Sequence, residues 1–126
     1  MTLSPETMLI GNGALLLAIA ALTGFSQART ERGSENERRW RVVHNGGTAG
    51  GVQLIALGAI WGRWTTQALS GWIALGLTLA TWAFFVGPLL SALSRTRSAR
   101  WFLWGGSLVA IPAYAGLALL ALRALT

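Results

Sequence analysis

Residues 68–93, ALSGWIALGLTLATWAFFVGPLLSAL, run for twenty-six positions without one charged side chain. A helix needs about 20 predominantly apolar residues to cross roughly 30 Å of hydrocarbon, so this run is long enough to span a bilayer with some tilt. It does not alternate polar with apolar residues, as a barrel strand must. Backbone in lipid has no water to bond, and a helix satisfies its own N–H and C=O groups. A transmembrane helix is therefore expected here.

Outward from that stretch, the same pattern recurs at 8–25, 42–61 and 101–125. The expected fold is all-α: a four-helix transmembrane bundle forming one domain over residues 1–126. Composition agrees, since 53% of the residues are hydrophobic and 11% charged, against about 25% charged in soluble domains. No remaining segment is large enough to bury a core of its own, so any site belongs among the helices.

Arg29, Arg32, Arg38, Arg39 and Arg41 lie between the first two runs, and Arg95, Arg97 and Arg100 between the last two. The opposite side holds Arg63 and Arg123 alone. The positive-inside rule then puts both termini on the non-cytoplasmic side, in a cell inner (cytoplasmic) membrane. A net charge of +6 in a soluble chain would point to nucleic acid. Here the arginines flank apolar runs, so the bilayer is the expected partner and nucleic acid is not. The first run is read as a permanent span rather than a secretory signal, because Glu6 precedes it and no basic residue does.

Trp40, Trp101 and Trp104 fall at the expected cytoplasmic interface and Trp61 and Trp64 at the other, where indole rings anchor helices. Trp72 and Trp82 lie deeper. Pro88 and Pro112 interrupt the last two runs and free carbonyls that need partners.

The chain has no Cys and no Asp, and its four acids, Glu6, Glu31, Glu35 and Glu37, lie outside the apolar runs. Thiol chemistry and paired-carboxylate catalysis within the membrane are thereby excluded. Phosphate-binding loops, dinucleotide fingerprints, nucleophile elbows and His-Glu metal motifs are also missing.

His44 is the single histidine, in the segment Arg41-Val42-Val43-His44-Asn45-Gly46-Gly47-Thr48-Ala49-Gly50-Gly51. An ionisable group at membrane depth is a functional candidate by default; the plain alternative is an imidazole bonded to a neighbouring carbonyl. One histidine without other ligands cannot complete a zinc site, but it can supply one axial ligand to haem iron. Gly47, Gly50 and Gly51 suit close helix packing or, on a free face, the approach of a flat macrocycle. Thr48 lies one turn beyond His44 on the same side, whereas Gln53 is about half a revolution away and suits a helix contact. Asn45, Thr48 and Tyr114 are the candidate polar contacts to a substrate. Trp72, Trp82, Phe84 and Phe85 are candidates for an apolar substrate pocket. Asn12, in Gly11-Asn12-Gly13, is expected near the face opposite His44.

Gly11-Asn12-Gly13 before an aliphatic run, Trp40 shortly before His44 in a glycine-rich helix, and Pro112-Ala113-Tyr114 in the last run resemble the membrane-bound styrene oxide isomerases. That resemblance implies trimers of four-helix protomers holding haem b at subunit interfaces through a histidine matching His44. It implies ferric iron serving as a Lewis acid, and rearrangement of an epoxide to a carbonyl compound by a hydride shift. The family carries an asparagine six positions after the histidine, where this chain has Gly50. An acid and a tyrosine of its third helix fall at Gly76 and at Phe84 or Phe85. The sequence thus leads to a haem-binding membrane isomerase of a small hydrophobic substrate. A non-catalytic haem protein and a cofactor-free assembly component are the alternatives.

Overall fold

A computed structural model describes residues 4–64, 70–94 and 99–123, and every helix expected from the sequence is present. They are α1, Pro5–Ala28; α2, Glu35–Trp64; α3, Ser70–Ser94; and α4, Ala99–Arg123. Arg95, Arg97 and the side chains of Arg63, Trp64 and Arg100 lie outside the described residues.

Local chemistry sets the ends. Ser4 caps α1 by accepting from the Thr7 N–H at 3.3 Å, and Pro5 occupies the first turn, where its missing N–H costs nothing. Ser34 caps α2 by accepting from the Glu37 N–H at 3.1 Å. This cap starts α2 two turns before the expected boundary at 42, carrying the helix into the arginine-rich segment. Gly33, at φ 79°, makes the turn before it.

The helices pair as two hairpins, α1 with α2 and α3 with α4, joined mainly through α2 and α3. Glycines set the approach of α1 to α2. A methyl on Gly13 would lie 2.7 Å from the Gly51 carbonyl oxygen, and one on Gly51 would lie 2.9 Å from that of Gly13. Gly58 likewise meets Ile10 and the Glu6 carbonyl. Backbone touches backbone here, as small residues allow in membrane helices. On the other side, Gly76 faces Ala113 and Gly106 faces Ala83, seating α4 on α3.

The buried residues form two clusters, one of Leu9, Leu54, Trp61, Ala74, Leu77 and Ala113, the other of Leu16, Val43 and Phe85. Trp61, which the sequence places near the end of its run, is wholly buried within the bundle. It shares a helical face with Leu54 and Gly58, which point at α1 and α3. Trp101 and Trp104, by contrast, are strongly exposed.

Three helical segments are long and apolar enough to cross a membrane: Pro5–Ala28, Ser70–Ser94 and Trp104–Arg123. Their outward faces carry Leu22, Phe25, Trp72, Leu108 and Ile111, a surface suited to hydrocarbon. The fourth helix, α2, does not reach that threshold, because His44, Asn45, Thr48 and Gln53 interrupt its apolar residues. One face of it, with Val43, Gly47, Gly50, Leu54 and Gly58, is buried against α1 and α3, while Asn45 and Gln53 are exposed.

Candidate functional site

The arginine-rich start of α2 meets the C-terminal end of α3. Arg39 donates to the Ser91 carbonyl at 3.5 Å, near the C-terminus of α3, where helical carbonyls lack partners and the dipole favours a cation. Its Nε also pairs with Glu35 at 3.2 Å.

Just inside that end, the His44 ring lies against α1. The Nδ1 atom is 2.8 Å from the Ala20 carbonyl oxygen. A carbonyl only accepts, so Nδ1 carries the hydrogen and Nε2 of the neutral ring keeps its lone pair. Among the described residues no hydrogen bond engages Nε2. The Ala20 carbonyl also accepts from Thr23 Oγ1 at 2.7 Å. Gly24 makes room for the ring: a methyl there would come within 2.9 Å of Cε1 and Nδ1.

His44 borders a half-open cavity of about 380 Å³, together with Gly24, Gln27, Ala28, Thr30, Arg32 and Glu37. Its size lies within the range of small-molecule sites. Glu37 is the anchor of its upper wall. Arg41 Nη2 contacts both carboxylate oxygens at 2.5 and 2.6 Å, the Gly33 N–H donates at 3.1 Å, and Gln27 Nε2 donates at 3.3 Å. The Arg41 hydrogen bonds, then that of Gly33, hold the Glu37 carboxyl down to about 2, against partial burial that acts in the opposite direction. The same pairing raises the Arg41 guanidinium above its ordinary value.

The other candidates are distributed over the bundle. Thr48 is half-buried on the His44 side of α2, and Asn45 is exposed. Gly47 is filled by Phe85 and Ala20, Gly50 by Thr81 and Leu16, and Gly51 by Leu17 and the Gly13 backbone. These three glycines face helix neighbours within the chain, whereas Gly46 has nothing within 4 Å. The four aromatic residues do not converge. Phe85 is buried against Gly47, and Trp82 packs edge-on to it with ring centroids 6.0 Å apart. Phe84 sits beside Gly106 of α4. Trp72 is 73% exposed and borders a second, mostly apolar cavity with Gly76, Pro112 and Ala113.

Asn12 is engaged elsewhere than His44: its Oδ1 accepts from Trp82 Nε1 at 3.0 Å, tying α1 to α3. Tyr114 shares a hydrogen bond with Gln53 between α4 and α2. Gln53 thus makes the helix contact its position suggested, on the side of α2 away from His44.

Gln27, Arg32 and Glu37 were not singled out from the sequence. The spacing Ser34-x-x-Glu37 ahead of an apolar run is a capping signal that could have flagged Glu37. Nothing comparable marks Gln27.

Among the described residues no three metal-ligating side chains cluster. The donor set is one imidazole, which suits a metal that arrives with its remaining ligands, as in a tetrapyrrole. A fixed tautomer and an available Nε2 fit such a group. A sequence model of the family described as Styrene oxide isomerase matches residues 5–126. No curated protein and no solved structure matches the chain.

Proposed function

The chain belongs to the styrene oxide isomerase family, and from that premise we propose that it is a membrane isomerase that rearranges a small hydrophobic epoxide to a carbonyl compound, with haem b held by His44. The observation that carries this reading is the Nδ1 contact to the Ala20 carbonyl, which leaves Nε2 as the donor to iron. A hydrogen-bonded second nitrogen of this kind orients metal-bound histidines generally and raises their basicity.

When bound, ferric haem supplies a Lewis acid that stabilises charge developing on the epoxide oxygen. The chain's own part is positional. Ala20 and Gly24 fix the imidazole from α1, and Thr48, one turn on along α2, is a candidate polar contact. The apolar helix faces admit a lipid-soluble substrate and exclude water, which would otherwise open the ring to a diol. In this reading α2 crosses the bilayer alongside α1, α3 and α4. The two arginine-rich connections face the cytoplasm of an inner-membrane protein, with both termini opposite. The exposed apolar faces support self-association, as a homotrimer in the family's manner, with the macrocycle lying between protomers.

Purified protein in detergent is expected to show a Soret band that His44→Ala abolishes. Membranes incubated with styrene oxide should form the aldehyde by gas chromatography, above the His44→Ala background. A colourless, folded wild type from haem-replete cells defeats the proposal.

A second reading, a haem protein without isomerase activity, is favoured by one arrangement: Tyr114 is tied to Gln53 on the other side of α2. A Soret band without aldehyde formation from any epoxide offered would select it.

A further inference from the structure

Resting on the haem reading above, we propose that Thr23 tunes the iron through His44. Its hydroxyl shares the acceptor of the imidazole, holds that imidazole to a moderate donor strength, and so keeps the ferric centre a strong Lewis acid. Thr23 is a positioning residue in this role, since it meets the partner of the histidine and not the metal.

The Ala20 carbonyl is where the donors converge. As a carbonyl inside α1 it takes the Gly24 N–H, and it also accepts from Thr23 Oγ1 at 2.7 Å and from His44 Nδ1 at 2.8 Å. Three donors therefore share an oxygen with two lone pairs, and each bond is weakened by the others. Thr23 is buried, so its hydroxyl hydrogen stays on that carbonyl instead of exchanging onto water. A hydroxyl bonded back to the preceding turn is common in helices. Thr78 makes the same bond to Ala74 at 2.9 Å, and Thr81 to Leu77 at 2.8 Å. What distinguishes Thr23 is that its acceptor also takes the Nδ1–H of the single histidine in the chain.

A hydrogen bond at Nδ1 pushes electron density toward Nε2, and the push grows with the strength of the bond. A strong push gives the iron an electron-rich ligand and blunts its pull on an epoxide oxygen. By loading the shared carbonyl, the Thr23 hydroxyl limits that push, while the contact still fixes the tautomer and orientation of the ring.

The test begins without haem. Apoprotein isotope-labelled at the histidine ring nitrogens gives one imidazole signal set, because His44 is the only histidine. Its Nδ1–H proton in detergent is expected to move downfield in Thr23→Val, where the carbonyl loses a competing donor, and to return to the wild-type position in Thr23→Ser. Thr23→Ala, which also lacks the hydroxyl, carries the same expectation as Thr23→Val. Thr78→Val removes the equivalent bond from α3 and should leave the signal in place. With haem b bound, the midpoint potential should fall in Thr23→Val and recover in Thr23→Ser. The kcat for styrene oxide should drop by about tenfold in Thr23→Val at unchanged KM, the lower end of what altering an outer partner of a metal-bound histidine does. An Nδ1–H signal that ignores the loss of the Thr23 hydroxyl, or an equal shift in Thr78→Val, overturns the proposal and leaves the haem reading standing. A downfield Nδ1–H with an unchanged midpoint potential does the same. If the apoprotein shows the Thr23-dependent shift yet wild type takes up no haem, the haem reading and the tuning of iron fall together.

Discussion

The imidazole of His44 rests directly on Gly24, across the contact between α2 and α1, so closely that a single methyl group at position 24 would lie 2.9 Å from two of its ring atoms. Gly24→Ala therefore has to move the ring, and moving it breaks the bond from Nδ1 to Ala20. The expected outcome is a weakened or split Soret band at unchanged helicity, read by absorbance and circular dichroism on the same sample. A wild-type spectrum in Gly24→Ala would show that the ring is not held against α1.

Gly51 and Gly46 make a matched pair for stability. A side chain on Gly51 meets the Gly13 carbonyl and Leu17, both within 3.0 Å, whereas Gly46 faces open space. Gly51→Leu should lower stability in detergent by about 1–3 kcal/mol or more, the usual cost of overpacking. Gly46→Ala should be neutral or slightly stabilising, since alanine is the better helix former. Thermal denaturation of both variants checks the contrast.

The Trp82–Asn12 hydrogen bond should be visible in a double-mutant cycle. Trp82→Phe and Asn12→Ala each remove one partner, and their effects should couple by about 0.5–1.5 kcal/mol, the net worth of one such bond. Additive effects would mean that the 3.0 Å contact contributes nothing to holding α1 on α3.

Glu37 predicts a pH dependence confined to the acid side. Its folded value, about 2, lies below the ordinary 4.5, so the unfolded chain takes up its proton first as pH falls. The contribution of Glu37 to the α1–α2 connection is then fully present above about pH 4.5 and is lost progressively toward pH 2. The protection factor of the Gly33 amide, its exchange compared with the intrinsic rate at the same pH, should fall across that window in wild type. In Glu37→Gln the exchange should already be fast at neutral pH and show no such acid-induced loss of protection.

The helices were legible because each apolar run is close to or above the roughly 20 residues that lipid demands, with arginines in the segments between them. Side-chain partnerships were less so. Helical angles placed Gln53 away from His44 correctly, yet nothing in the sequence reveals that Tyr114 of α4 meets it. Gly47, Gly50 and Gly51 could suit either a cofactor or a neighbouring helix, and periodicity does not say which face a neighbour takes. Phe85 fills one of those spaces, and that leaves it unavailable for a pocket with Trp72. The His44 cavity itself depends on a connection whose course is set by one left-handed glycine and one capped serine, details that hydropathy does not register.

The polarity of α2 bears on how the molecule is made. A segment carrying His44, Asn45 and Gln53 gains little by partitioning into hydrocarbon on its own, whereas with its glycine face against α1 it presents a smaller polar surface to the acyl chains. In the membrane reading proposed above, α1 is apolar enough to enter by itself and α2 enters against it, so that the Gly13–Gly51 contact serves insertion as well as the finished bundle.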